Sequence, residues 1–302
     1  MNNNLLSKIK KGPTKLPPKI MLIGVEGVGK STAGASMPNP IFVCGESGLV
    51  GPQFDGIPNF TPESWKDILD FCEELAATPG DFRTLVIDTL DWVEPMLYAH
   101  VCAEGKQKNI EGFGYGKGYV LAQQEARKLL VALDKVNRAG LNILLLSHSQ
   151  LRKVQNVLGD DYDHFESKLN AKVGGIFKEW ADAVLFARFE TFVENKDGKV
   201  KAYGGSTRVV ETTHSAAWDA KNRYGLPEQM PLDMLAILSA MDGNGGDAKA
   251  TEIELRGLLE RLPKDKADKT LKWLETPRSV VDLQKVLNNV KNAIKEAENG
   301  RK

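Results

Sequence analysis

The 302-residue sequence is poor in cysteine, with only Cys44, Cys72 and Cys102. Three scattered thiols, none in a CxxC pair, exclude a disulfide framework and a cysteine-based zinc site, and they suit a reducing compartment. No run of about 18 or more apolar residues is present, which excludes a membrane-spanning helix. The opening MNNNLLSKIKKGPTKLPPKI has no apolar h-region, so no secretory signal and a cytoplasmic location are expected. An excess of either charge is missing as well: 40 Lys and Arg face 40 Asp and Glu. The zero sum hides a split. Residues 1–19 hold five lysines and no acid (+5), residues 247–302 carry +3, and the stretch between is −8. Bulk electrostatics therefore exclude constitutive coating of a polyanion more firmly than they exclude contact with one.

What is present is 42% hydrophobic residues in an average soluble composition, enough for one large core plus an appendage. Residues 1–18 are polar, lysine-bearing and closed by Pro17-Pro18, and read as a flexible basic arm. Apolar runs at 19–23, 41–44, 84–87, 142–147 and 183–187 read as strands. Helical patterns fall between them at 30–36, 62–76, 90–104, 118–139 and 174–182. Fully apolar strands separated by helices predict an α/β fold with a mostly parallel sheet covered on both faces. Residues 188–194, 200–203 and 207–212 alternate in character around Lys196-Asp-Gly198 and Gly204-Gly205, which predicts an antiparallel hairpin extension with turns at both sites. The core is expected over 19–241, a Gly-rich linker over 242–250, and a helical module over 251–302. Three helices are expected there, at 251–262, 266–274 and 279–298. The last places Val280, Leu283, Leu287, Val290 and Ile294 on one face, as an internal packing stripe or a partner-binding surface.

One motif carries chemistry on its own. The strand 19–23 runs into Gly24-Val-Glu-Gly-Val-Gly-Lys30-Ser31, which satisfies GxxxxGK[ST] at every fixed position. Glycines let the backbone curl its N–H groups toward a phosphate, and the helix that follows adds its positive end. Gly24, Val25, Glu26, Gly27, Val28, Gly29, Lys30, Ser31 and Thr32 are thus expected to bind ATP, with Lys30 on the β- and γ-phosphates and the Ser31 hydroxyl on Mg²⁺. The strand 84–87 ends on Asp88, placed to hold Mg²⁺ through water. Asp88 or Thr89 also suits a cap for the helix that begins at Leu90, and Asp91 reads as an ordinary first-turn acid.

With those motifs in place, the chain resembles the RecA-like ATPases: a Walker A loop, a Walker B strand about 60 residues later, and an apolar strand ending Leu146-Ser-His148-Ser-Gln150. More narrowly, Pro40-Ile-Phe-Val-Cys-Gly-Glu46-Ser-Gly48, Glu179-Trp-Ala-Asp182 and Ala220-Lys-Asn-Arg-Tyr-Gly-Leu-Pro227 resemble phage-encoded AAA-type proteins that include the Sak-type single-strand annealing ATPases. The resemblance covers about residues 18–240. It implies a RecA-like core in which Glu46 orients the attacking water, Glu26 being a lesser rival, and in which His148, or less simply Gln150, senses the γ-phosphate. It also implies that Lys221 and Arg223 reach the γ-phosphate of a neighbouring subunit, which requires a homo-oligomer, ring or filament.

The same resemblance places single-stranded DNA on two loops. The first, KQKNIEGFGYGKG at 106–118, offers Lys106, Lys108, Lys117, Phe113 and Tyr115, cations and stacking surfaces on a glycine-rich backbone. A lid over the nucleotide is the other reading of that composition. The second, 151–172, offers Arg152 and Lys153 but is rich in acids. The expected activity is an ATPase stimulated by single-stranded DNA that promotes annealing or recombination. The C-terminal helices are expected to dock a single-strand-binding or other replication protein. A nucleotide-switch loader of a replication or packaging machine and a small-molecule P-loop kinase are the alternatives.

Overall fold

The computed structural model describes residues 16–45, 49–156, 159–196, 199–242, 255–259, 262, 264–274, 283, 286–287, 289–291 and 294. The basic arm up to residue 15, the linker over 243–250 and Glu46 lie outside them. Ten strands form one sheet among these residues: β1 (Lys19–Gly24), β2 (Pro40–Cys44), β3 (Asn59–Phe60), β4 (Thr84–Asp88), β5 (Asn142–Val154), β6 (Tyr162–Ser167), β7 (Ala183–Lys196), β8 (Lys199–Glu211), β9 (Lys221–Asn222) and β10 (Gln229–Pro231). Their order is β10-β8-β7-β1-β5-β4-β2-β3, with β6 on β5 and β9 on β7. The pairs among β1, β2, β3, β4, β5 and β7 are all parallel, and β6, β8, β9 and β10 attach antiparallel. The expected α/β fold with a mostly parallel sheet and an antiparallel extension is what the chain adopts.

The helices are α1 (Lys30–Ala35), α2 (Trp65–Ala77), α3 (Leu90–Glu104), α4 (Lys117–Arg138), α5 (Ala171–Trp180), α6 (Met234–Met241) and α7 (Lys264–Trp273). Side-chain alternation along each strand builds two apolar layers. In β1, Met21 and Ile23 face a core closed by α2, α3, α4 and α5, while Ile20 and Leu22 face one closed by α1 and α6. All four are fully buried, so a charge placed at any of them would lack a partner. The C-terminal residues Leu255, Leu259, Leu274, Leu283, Leu287, Val290 and Ile294 form a third buried cluster of their own.

Three local expectations are corrected. Gly204-Gly205 is not a turn: both residues sit inside β8 with φ of 127° and 107°, at a register shift opposite Phe189 and Thr191. The glycines signal a bulge because Gly204 lies against Glu190, where a Cβ would come within 2.2 Å of its carbonyl oxygen. The segment after His148 is not an open loop. β5 continues to Val154 and pairs with β6 through Lys153↔Asp163 and Val154↔Tyr162. Finally, α5 begins at Ala171 rather than 174, because the Asn170 side chain accepts from the Lys172 N–H (3.0 Å) and caps it there.

Candidate functional site

β1 ends at Gly24, opposite Ala187 of the longer β7, and the chain leaves it there into the glycine loop. Gly24 must lack a side chain because β7 passes so close that a Cβ would meet Ala187 O at 2.9 Å. Gly27 and Gly29 have φ of 71° and 97°, the left-handed turns that curl the loop before α1 starts at Lys30. Val28 is fully buried and anchors the loop to the core below it. No acid occupies the first turn of α1, so its positive end is unopposed.

Lys30 is buried, and its ammonium donates back to Gly24 O and Val25 O, both at 3.1 Å. Burial pushes its pKa below the ordinary lysine value, while Asp91, Asp88 and Glu26 pull in the opposite direction without cancelling it. A cation held this way, stripped of water and spanning the loop, is arranged to exchange two carbonyls for phosphate oxygens.

In front of the loop lies a cavity of about 370 Å³, lined by Gly29, Lys30, Ser31, Thr32, Asp88, Thr89 and His148 among others. Asp88 ends β4 and its carbonyl accepts from Gly45 N–H at 2.9 Å, which fixes the chain leaving β2 beside it. Glu46 follows immediately, outside the described residues. Thr89 occupies the N-cap position of α3 but makes no side-chain cap bond. Its hydroxyl is instead buried and without a hydrogen-bond partner, on the wall of this cavity. A buried, unsatisfied hydroxyl costs about 1–3 kcal/mol unless something fills the site. A magnesium–triphosphate complex suits this donor set: Ser31 and Asp88 would supply hard oxygens, Lys30 a cation, and Thr89 a spare polar group. Bound there, the metal would neutralise charge on the phosphoryl oxygens.

Asp91 was missed as a site residue by sequence reasoning. Its carboxylate accepts from the His148 backbone N–H (2.9 Å) and contacts His148 Nδ1 (2.7 Å), across 57 residues of sequence. Burial alone would raise the Asp91 carboxyl, but the two hydrogen bonds and the nearby imidazole outweigh it, and it sits below the usual carboxylate value. A carboxylate only accepts, so Nδ1 carries the proton and Nε2 is the ring nitrogen left for the cavity His148 lines. Asp88-x-x-Asp91 in the sequence marks only a first-turn acid; it is the pairing of β5 with β4 that turns this acid toward the end of β5. His148 is also tied outward, its carbonyl accepting from Lys168 N–H (2.9 Å) and its neighbour Ser147 bonding Ser167 (2.8 Å). Gln150 is turned to Glu166 (3.2 Å) on the same hairpin.

Lys221 and Arg223 stand at the other end of the sheet. β9 pairs with the start of β7 through Val184↔Lys221, whereas the glycine loop leaves at Ala187 and beyond. Three residue steps of strand separate them, about 10 Å. Lys221 Nζ donates to Lys178 O (3.1 Å), Glu179 O (2.8 Å) and Ala181 O (2.6 Å), which closes the C-terminus of α5. All three of its protons are engaged. Arg223 is exposed and pairs with Asp182 at 3.2 Å.

The loop 106–118 separates into two kinds of residue. Phe113 packs onto Gly105, where a Cβ would come within 2.4 Å of its ring, and joins the core edge. Tyr115 is fully exposed at φ 47°, between Gly114 and Gly116 at φ 69° each. Lys106, Lys108 and Lys117 are exposed, and Lys172 reaches toward Gly116. On the β5–β6 hairpin Arg152 pairs with Glu166 (3.5 Å) and Lys153 stands opposite Asp163.

Among the described residues no helix is long and apolar enough to cross a membrane. No curated protein matches this chain. A crystal structure of the RadB recombinase is similar to it at 13% identity and a TM-score of 0.38, over 71% of this chain and 86% of that one. Residues 16–224 match the model of a family described as an AAA domain. That match spans the glycine loop, Asp88, Asp91, His148, Lys221 and Arg223, and with more than half of its length covered the chain belongs to the AAA domain family of P-loop NTPases.

Proposed function

We propose that this protein hydrolyses ATP with Mg²⁺ in the cavity before Lys30, assembles as a homo-oligomer on single-stranded DNA, and promotes annealing or recombination. The observation that carries the nucleotide part is the joint geometry of a buried Lys30, Ser31, Asp88 and an orphaned Thr89 hydroxyl on one cavity wall. Lys30 binds and neutralises the phosphates, Ser31 and Asp88 hold the metal, and His148, set by Asp91, meets the γ-phosphate. Glu46, two residues after β2 in the sequence, polarises the attacking water. The ties of His148 to Lys168 and of its neighbour Ser147 to Ser167 support a route from the γ-phosphate to the β5–β6 hairpin.

Assembly enters through the far edge of the sheet. Neither Lys221 nor Arg223 serves its own cavity, so a finger role needs a neighbour. Arg223 is the stronger candidate because its tie to Asp182 is a surface ion pair worth about 0–1 kcal/mol. Lys221 would have to abandon three carbonyls. The DNA part rests on Tyr115, held out on a glycine-flanked turn beside Lys106, Lys108 and Lys117. The C-terminal helices are read as the docking module for a replication partner.

A second reading, a nucleotide-switch loader without annealing activity, is favoured by the packing of Phe113 and by the acids that face Arg152 and Lys153. Strand-annealing assays with ATP and single-stranded DNA separate the two. Annealing accelerated by the wild-type protein and lost in Tyr115→Ala supports the first. DNA-independent turnover without annealing supports the second.

A further inference from the structure

The nucleotide cavity has an extension that the phosphate chemistry does not use. A recess of about 270 Å³ shares Gly29 and Thr32 with it and runs on along α1, lined also by Ala33, Arg208, Leu232 and Asp233. Asp88, Thr89 and His148, the metal and γ-phosphate wall of the main cavity, do not line the recess, which is built on the α1 side of the loop. Arg208 comes from β8, and its Nη1 lies 2.7 Å from where a Cβ on Gly29 would stand. The guanidinium therefore rests directly on the loop, in space that any other residue at 29 would fill. Phe189 backs it, with the Arg208 Cζ 6.0 Å from the ring centroid.

The polar side chains around Arg208 are partly committed. Ser36 donates to Ala33 O (2.7 Å), and Asp233 Oδ1 accepts from Leu235 N–H (3.0 Å) and Ala236 N–H (3.1 Å) as the cap of α6. What the recess presents to a ligand is a flat cation together with the apolar Leu232 and Ala33, beside Thr32 and Asp233.

We propose that this recess holds the nucleobase of the bound triphosphate, stacked on the Arg208 guanidinium, and that it favours purines through ring area. The proposal rests on the nucleotide reading of the main cavity. A planar, weakly hydrated guanidinium stacks on an aromatic ring in a way an ammonium does not. Arg208 is thus a specificity residue for the base, while Lys30 serves the phosphates whatever base is attached.

The test is equilibrium binding to the full-length protein of three probes with Mg²⁺: ATP, CTP and inorganic tripolyphosphate. Arg208→Ala should weaken ATP roughly tenfold, CTP less, and tripolyphosphate not at all. Arg208→Lys, which keeps the charge and loses the plane, should behave like Arg208→Ala. Equal loss of ATP and tripolyphosphate in Arg208→Ala would make Arg208 a phosphate ligand and overturn the proposal, as would full rescue by Arg208→Lys or an ATP affinity that does not change. Failure of the nucleotide reading looks different: wild-type protein that binds none of the three, or Lys30→Ala protein that binds all three normally. Unchanged thermal unfolding of the Arg208 variants confirms that the exposed side chain acts on binding and not on folding.

Discussion

The Asp91 carboxylate grips His148 at two points, the backbone N–H at 2.9 Å and the ring Nδ1 at 2.7 Å, from the first turn of the helix that follows Asp88. One acid thus fixes both the position and the tautomer of the imidazole that lines the nucleotide cavity. Asp91→Asn should lower kcat by roughly 10²-fold, the cost of a misplaced catalytic group, with ATP affinity nearly unchanged. Steady-state turnover with parallel ATP binding checks this. An equal loss in both would make Asp91 a binding residue.

The same pair sets a pH dependence of stability. The folded Asp91 carboxyl is depressed below its unfolded value of about 3.9. Its contribution is therefore fully present above that unfolded value and is lost as pH falls through the lower folded one. Urea unfolding of wild type and Asp91→Asn should differ most at neutral pH and converge in acid. A gap that widens on acidification would contradict the assignment.

How much of this was legible in the sequence depends on the range of the signal. The glycine loop and Asp88 were readable because each is a local motif ending an apolar strand. All five core strands were readable because their side chains are buried on both faces, which leaves continuous apolar runs. Asp91 was not, since its role depends on β5 lying beside β4, a pairing that no local pattern encodes. Phe113 and Tyr115 look alike in sequence, two aromatics among glycines, and only the approach of Phe113 to Gly105 distinguishes a packing residue from an exposed one. Lys221 and Arg223 likewise read as a matched pair and divide into a helix cap and a surface ion pair.

That division predicts opposite phenotypes. Lys221→Ala leaves three carbonyls at the C-terminal end of α5 without their shared donor and should destabilise the fold by about 2–3 kcal/mol. Arg223→Ala should cost less than about 1 kcal/mol yet abolish turnover by the pure variant. Mixing Arg223→Ala with Lys30→Ala subunits should restore part of the activity, since each brings what the other lacks. Intact assembly with no recovery on mixing would remove the in-trans role.

The two aromatics of the 106–118 loop should separate in the same way. Tyr115→Ala should weaken single-stranded DNA binding roughly 5- to 100-fold, the worth of one base stack, and leave ATP binding and thermal stability alone. Phe113→Ala should instead lower stability by about 1–2 kcal/mol, less than a full core deletion because the ring is only half-buried. Fluorescence anisotropy with an oligo-dT probe and thermal melts read both. DNA affinity insensitive to Tyr115 would favour the switch reading.

The most direct test of the account is Mg²⁺-dependent ATP turnover by wild type and Lys30→Ala, each with and without single-stranded DNA. The account predicts turnover in the wild type that rises when single-stranded DNA is added, and none above background in Lys30→Ala under either condition. Turnover of comparable rate in both proteins would contradict it, because the cavity before Lys30 would then not be where phosphate is cleaved.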